Sequence, residues 1–448
     1  MMNKLTILVL IFFTTLMACK PVTKESSSLV FSGTIENPNR SGFTISGNDF
    51  EQEISLDSSG NFKADLEGIR EGSYTLWDSV ESTKIYLIPG LDLQLTMKAD
   101  SFDESIKYEG PGADASNYLA DKYRMEEKMN LDYKGIYSMD EKEFLTEIAK
   151  IEKELMAFLE SYKSLPGNFY EMEAKSVKYA KLGLMSNYQG AHAYYTKNKD
   201  FKPSDNFLDP LKDIDYNSEL DFNKIDAYKR LVISNYTSGD IMDNIAKLDD
   251  ITVPAIKKEV LKSLQYSMRP GMENLDEVFE GISAHAVDED FKVDLVSKYE
   301  TYKELAKGKV SPGFSFPDVE GKVVNLNDLE GKVVYIDVWA TWCGPCLAEI
   351  PYLKELEEEL HEENLAFVSI SVDKEKDKGK WENMIAEKQL KGYQLFSDKD
   401  WKSDFVKAYG IQGIPRFILI DKAGKIISPD APRPSSGDEI RSMIAEAL

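Results

Sequence analysis

Hydrophobic spacing divides the chain into three stretches. From residue 29 to about 110, apolar residues tend to recur at every second position. LDLQLTM (Leu91–Met97) alternates throughout, the period of a half-buried strand. Ile54 and Leu56 precede the turn sequence DSSGN, and Phe62, Ala64 and Leu66 follow at spacing two, which predicts a hairpin. With GSYTLW and KIYLIPG, these segments predict a small antiparallel sandwich or barrel. At GPGADASNYL (Gly110–Leu119) the period becomes helical and stays so to about Lys307. EKEFLTEIAKIEKELMAFLESY carries one stripe through Phe144, Ile148, Ile151, Leu155, Leu159 and Tyr162. Further helices are expected around 172–196, 221–247, 255–267 and 286–306. Their tyrosines and methionines read as helix packing, with a substrate-facing groove as the alternative. AKGKVSPGF (Ala306–Phe314) has the composition of a linker. After it, VVYIDVW and LAFVSISV are nearly continuous apolar runs, as expected of strands buried on both faces. FILI and GKII follow, with helical patterns between. The fold class expected is multidomain: an antiparallel β-sandwich over 29–110, an α-helical domain over 111–306 and an α/β domain over 312–448.

Composition changes little in this picture. The 448 residues, 42% apolar and 29% charged, describe a foldable globular chain. A formal charge of −24 argues against nucleic acid as a partner, because phosphates repel an acidic surface. The first segment is different in kind. MMNKLTILVLIFFTTLMAC has one early lysine and an apolar run from Leu5 to Ala18, shorter than the ~20 residues that span a bilayer, and reads as an export signal. Its end, Leu16-Met17-Ala18-Cys19, resembles the bacterial lipoprotein signal. That resemblance implies a signal peptide over 1–18, lipidation of Cys19, a polar tether over 19–28 and a chain anchored to a membrane without spanning it. Lys20 carries no acidic inner-membrane retention signal, which favours an outer-membrane, periplasm-facing location.

Only Cys343 and Cys346 remain after Cys19, so any disulfide they form closes over a short range. The pair could be a redox couple, half of a metal site, or small core residues. WCGPC follows a buried strand and opens a helical pattern. That puts Cys343 at a helix N-terminus, where unpaired N–H groups and the macrodipole favour a thiolate. Pro345 has no N–H to lose in the first turn. Cys-x-x-Cys pairs so placed lower the first thiol's pKa from ~8.5 into the range ~3.5–7.5, and the second cysteine, one turn on and expected to be the more buried, can resolve a mixed disulfide. A structural zinc usually needs four N or S ligands, and His192, His285 and His361 do not cluster in sequence. Hence no metal and no cofactor beyond the cysteine pair is expected.

The run from Asp337 to Cys346, DVWATWCGPC, resembles the thioredoxin active site. Pro351 matches the proline that kinks the family's active-site helix, and Gly413-Ile414-Pro415 matches its cis-proline loop. The lead-in PGFSFPDVEGKVVNLNDLEGKVV resembles the extra hairpin of the membrane-tethered thiol–disulfide reductases of the TlpA and ResA kind. The β-rich segment resembles, more loosely, a domain that precedes such modules in bacterial lipoproteins. The resemblance implies a thioredoxin fold over 312–448. Cys343 would attack, Cys346 would resolve, and Asp337, its pKa raised by burial, would take the proton from Cys346. Trp342, Gly344, Pro345, Ile414 and Pro415 would contact substrate, with Trp339 and Trp342 shielding the pair from water. Glu349 matches CxxCxxE of the cytochrome-maturation relatives and reads equally as an accessory or a solvated residue. Arg416, where thioredoxins often place a small polar residue, is a candidate for tuning substrate choice.

The activity so implied is protein-disulfide reduction in the cell envelope. Protein thiols and disulfides would be its substrates, apocytochromes among the candidates, and an upstream membrane donor would regenerate the pair. Gly-Pro between the cysteines is the reducing thioredoxin's dipeptide, near ~−270 mV against ~−120 mV for a strong oxidant. Two rivals stand beside it. One is a peroxiredoxin-like peroxidase, which would use a cysteine in a PxxxTxxC setting. The other is a surface binding protein in which the thioredoxin part is an accessory module.

Overall fold

The computed structural model describes residues 28–448; the expected signal peptide, Cys19 and the tether through residue 27 lie outside the described residues. The described chain forms two compact units. One contains the residues through Asp213 with Leu220–Lys229, the other Ile214–Glu219 with Arg230–Leu448. The helices read from sequence as one domain over 111–306 are thus shared between the two.

The first unit opens with eight strands: β1 (Ser28–Glu36), β2 (Gly42–Gly47), β3 (Phe50–Ser55), β4 (Asn61–Glu67), β5 (Gly72–Trp77), β6 (Ser82–Leu87), β7 (Leu93–Lys98) and β8 (Lys107–Glu109). They make two four-stranded sheets, ordered β4-β1-β7-β8 and β3-β2-β5-β6. Inward residues of both sheets share one core, in which the Phe31, Phe43 and Phe62 rings meet with centroids 4.9–6.1 Å apart. Leu93, Leu95 and Met97 alternate inward along β7, as their spacing requires.

Two expectations are corrected here. DSSGN does form a turn, with Asp57 Oδ1 accepting from the Ser59 and Asn61 N–H groups at 2.8 and 2.9 Å. It does not close a hairpin, because β3 pairs with β2 and β4 with β1, so the turn carries the chain from one sheet to the other. Nor is the sandwich wholly antiparallel: β1 and β7 run parallel. Two parallel neighbours need a long crossover, and the second sheet is built within it. That pairing depends on Gly33, where a Cβ would run into the Leu95 carbonyl opposite. Gly33→Ala should therefore destabilise this unit by at least ~1–3 kcal/mol, read as a lower urea midpoint for the unit's transition with the redox activity of the other unit retained.

Helix Glu141–Ser161 starts at Asp140, whose side chain accepts from the Glu143 N–H at 2.8 Å. Its stripe is buried at Phe144, Ile148, Ile151 and Leu159 and packs on helix Gly167–Thr196. The Phe144 and Tyr188 rings stack at 4.1 Å, so the aromatic stripe is core. Around 221–247 three short helices replace the single one expected. Gly239, at φ +87°, and the Asp240 cap break the pattern before Ile241–Ala246.

In the second unit, helices Pro254–Ser267, Leu275–Ala284 and Glu289–Glu304 precede a mixed sheet. The hairpin β9 (Ser315–Pro317) and β10 (Val323–Asn325) comes first, as the lead-in predicted. Strands β11 (Val333–Trp339), β12 (Leu365–Ser371), β13 (Tyr393–Phe396), β14 (Arg416–Ile420) and β15 (Ile426–Ser428) follow, ordered β13-β12-β11-β14-β15. β11 is central and buried at all seven positions, which is why it reads as an unbroken apolar run. This is a thioredoxin-like α/β domain. AKGKVSPGF is no free linker: Gly308 N–H donates to Ile426 O at 2.7 Å, Ile426 N–H to Lys309 O at 2.8 Å and Ser311 N–H to Gly424 O at 2.9 Å.

Candidate active site

The site stands where β11 ends. Residues 340–342 turn the chain from Trp339 into helix Gly344–Glu359, and Cys343 is that helix's N-cap. The turn is fixed from below by Asp373, fully buried just past β12. Its carboxylate accepts from Thr341 N–H at 2.9 Å, Thr341 Oγ1 at 2.8 Å and Ser371 Oγ at 2.8 Å. Sequence reading passed over Asp373, which follows its apolar run, whereas Asp337 stands inside one.

Cys343 and Cys346 form a disulfide with their Cα atoms 5.2 Å apart. The Cys346 N–H donates to Cys343 Sγ at 3.2 Å, so one of the helix's unpaired N–H groups is spent on that sulfur. Cys343 was expected to be clearly the more exposed. In the closed pair the two are 4% and 3% exposed, because the bond and the hydrogen bond both draw Cys343 Sγ onto the helix end. Gly344 and Pro345 are exposed beside them. Trp342 is 55% exposed and presents an apolar surface next to the buried sulfurs. Trp339 is buried in the core and is a packing residue.

Three carboxyl groups converge under the helix. Asp337 is buried in β11, opposite Ser369 and Phe417, and its pKa is pushed up to about 8. Burial is the main cause, followed by the charges of Glu349 and Glu357, while a hydrogen bond from Ser369 opposes them. Glu349 follows Cys346 by three residues, so the two share a helix face. It is buried rather than solvated, accepting from Ser435 N–H at 3.0 Å and Ser435 Oγ at 2.8 Å. Burial likewise raises Glu357 to about 7, against the pull of Lys391 and Lys354. A carboxyl group that keeps its proton through neutrality therefore lies on the strand that leads into the Cys343 turn.

The Ile414–Pro415 peptide is cis. β14 starts at Arg416, which pairs with Val338 at the end of β11, so the cis-proline loop and the Cys343 turn leave the sheet at the same edge. Arg416 is itself buried and ion-paired to Asp430 at 2.9 Å, which turns its guanidinium inward. Among the sequence-derived candidates, the structure gathers Cys343, Cys346, Trp342, Gly344, Pro345, Ile414 and Pro415 at this edge, with Asp337 and Glu349 beneath. Cys19 lies outside the described residues.

Comparison with known proteins bears on this unit. Residues 306–442 match the Redoxin family model. The chain is 33% identical over 146 residues to the thiol-disulfide oxidoreductase ResA of Bacillus thuringiensis subsp. konkukian, covering 33% of this chain and 79% of that protein. It is 36% identical over 125 residues to ResA of Bacillus anthracis, covering 28% and 69%. Among solved structures, the thioredoxin domain of a thiol-disulfide oxidoreductase from Bacteroides vulgatus is 32% identical, covering 32% of this chain and 97% of that one, with a TM-score of 0.29.

Proposed function

The chain belongs to the ResA-type thiol-disulfide oxidoreductases, which are thioredoxin-like, and on that premise we propose that it reduces protein disulfides in a bacterial cell envelope. In this reading the dithiol form is the reactant. The Cys343 thiolate attacks one sulfur of the substrate disulfide, forming a mixed disulfide and releasing the other sulfur as thiolate. Cys346, deprotonated by Asp337, then attacks Cys343 Sγ. The second substrate thiol leaves, two electrons have passed to the substrate, and the Cys343–Cys346 disulfide results. A membrane-bound dithiol donor upstream must return two electrons each cycle.

One observation carries the proposal. Cys343 caps the active-site helix and its sulfur accepts the Cys346 N–H at 3.2 Å, an arrangement that favours the attacking anion. The cis peptide before Pro415, at the same sheet edge, offers an extended substrate segment a backbone to pair with, and exposed Trp342 offers it an apolar contact. Anchoring through lipid on Cys19, with the site facing an outer-membrane-bounded periplasm, completes the reading and rests on the leader sequence.

Equilibration with a dithiol buffer of known potential tests the direction of electron flow. The pair should come to half-reduction near the reducing thioredoxin value of ~−270 mV. A midpoint near the ~−120 mV of a strong oxidant would overturn reduction in favour of disulfide formation.

A further inference from the structure

Beside the loop that carries Pro415, helices Pro254–Ser267 and Glu289–Glu304 border a groove of about 380 Å³, lined among others by Lys262, Tyr266, Asp294, Lys298, Lys407 and Gln412. Three lysines and one aspartate stand along it. Two of these lysines have carboxylate partners: Lys262 pairs with Glu259 at 3.0 Å, and Lys407 with Asp404 at 3.9 Å. Lys298 differs. Its Nζ donates to the Gln265 carbonyl at 2.6 Å and to Gln412 Oε1 at 2.9 Å, and lies 5.7 and 5.4 Å from the Tyr266 and Tyr302 ring centroids. Among the described residues no carboxylate stands within ion-pair distance of it. Burial, then the nearby Arg269 and Arg416 charges, bring its pKa down to about 8. The nearest acid to the two arginines, Asp430, is already paired with Arg416 at 2.9 Å, so the half-buried Lys298 ammonium is held by neutral oxygens alone.

The groove is also placed to meet a substrate. Gln412, which holds Lys298, is three residues before the cis-proline. A Cβ on Gly413 would lie 3.8 Å from the Tyr266 hydroxyl, and Tyr266 is 56% exposed. A polypeptide docked along Ile414 would therefore run towards the groove.

We propose that this groove takes an acidic side chain of the client polypeptide, close in sequence to the client's reactive cysteine, with Lys298 as its ion-pair partner. The proposal rests on the reading of the chain as a protein-disulfide reductase and adds a preference among clients. Because Gln412 is three residues before the cis-proline, an acid that reaches the groove from an extended client strand lies near the client's cysteine in sequence. Helices outside the thioredoxin-like domain would then contribute directly to substrate choice.

Peptides carrying serine in place of the client cysteine test this without any exchange chemistry. Fluorescence anisotropy on the full oxidised chain would compare aspartate, asparagine and lysine three residues to either side of that serine. The aspartate peptide should bind about five-fold tighter than the asparagine one, the lysine peptide more weakly than both, and the differences should shrink as ionic strength rises. Lys298→Gln should abolish the preference and Lys298→Arg should retain it. Equal affinities in the unmodified chain, or no binding of any peptide, would overturn the proposal even if every variant failed to fold. The serine peptides cannot be reduced, so this outcome is separate from the reductase reading. Reduction of neutral peptide disulfides with no preference for acid would leave that reading standing and the groove proposal refuted.

Discussion

Replacing Cys343 by serine should lower disulfide reduction by on the order of 10³-fold or more, because an alcohol at the helix N-cap keeps the geometry and loses the nucleophile. Replacing Cys346 should have a different effect. Attack by Cys343 proceeds, but no thiol stands one turn on to break the mixed disulfide, so substrate accumulates covalently bound. With insulin as substrate and dithiothreitol as donor, turnover should vanish in the Cys343→Ser protein. In the Cys346→Ser protein a single turnover should leave a band of enzyme plus substrate on a non-reducing gel. Full activity in the Cys343→Ser protein would remove that sulfur from the mechanism. A stable adduct formed by Cys343→Ser but not by Cys346→Ser would reverse the two roles.

The second large effect is expected at Asp337, and it is two-sided. A buried carboxyl whose pKa rises from 3.8 to about 8 is held protonated through neutrality by burial and by the Glu349 and Glu357 charges. As the base for Cys346 it must be ionised, so resolution of the mixed disulfide should speed up as pH rises towards about 8. Asp337→Asn should remove that inflection and slow resolution by ~10²-fold, with a smaller effect on the attack by Cys343. Stopped-flow measurement of the two steps separates them, and equal slowing of both would refute the base role. Stability should move the other way. The folded state binds this proton more tightly than the unfolded chain, so the wild type loses stability as pH climbs from about 4 through about 8, while the asparagine variant does not. At pH 8 the variant's second unit should be more stable by on the order of a few kcal/mol, and near pH 4 by almost nothing. Urea midpoints at the two pH values measure this. A variant less stable at pH 8 would mean that the carboxylate is held by contacts stronger than its burial.

What the sequence made legible follows from the range of each interaction. VVYIDVW reads as a central strand because burial on both faces leaves an unbroken apolar run, and the same run makes Asp337 conspicuous. The Cys343 cap and the cis-proline loop are written in short motifs. The parallel pairing of β1 with β7 is not, because strand period reports which face is buried and not which neighbour some sixty residues away completes the sheet. DSSGN marks a turn without saying whether the strands around it pair with each other. Glu349 was undecided because its partner, Ser435, lies 86 residues on. The Lys298 groove was invisible for the same reason: its walls come from helices and a loop more than a hundred residues apart.

The packing of Glu289–Glu304 against the cis-proline loop bears on where this polypeptide can be cut. The match to the Redoxin family model begins at residue 306, an inviting point at which to isolate the redox module. Tyr302 and Leu305 are buried just before it, and the Tyr302 ring approaches Gly410 closely enough that a Cβ there would lie 2.7 Å away. A fragment starting at 306 would present that apolar seat to water and leave the loop before Pro415 without its backing, so a cut that spares the seat falls before helix Glu289–Glu304.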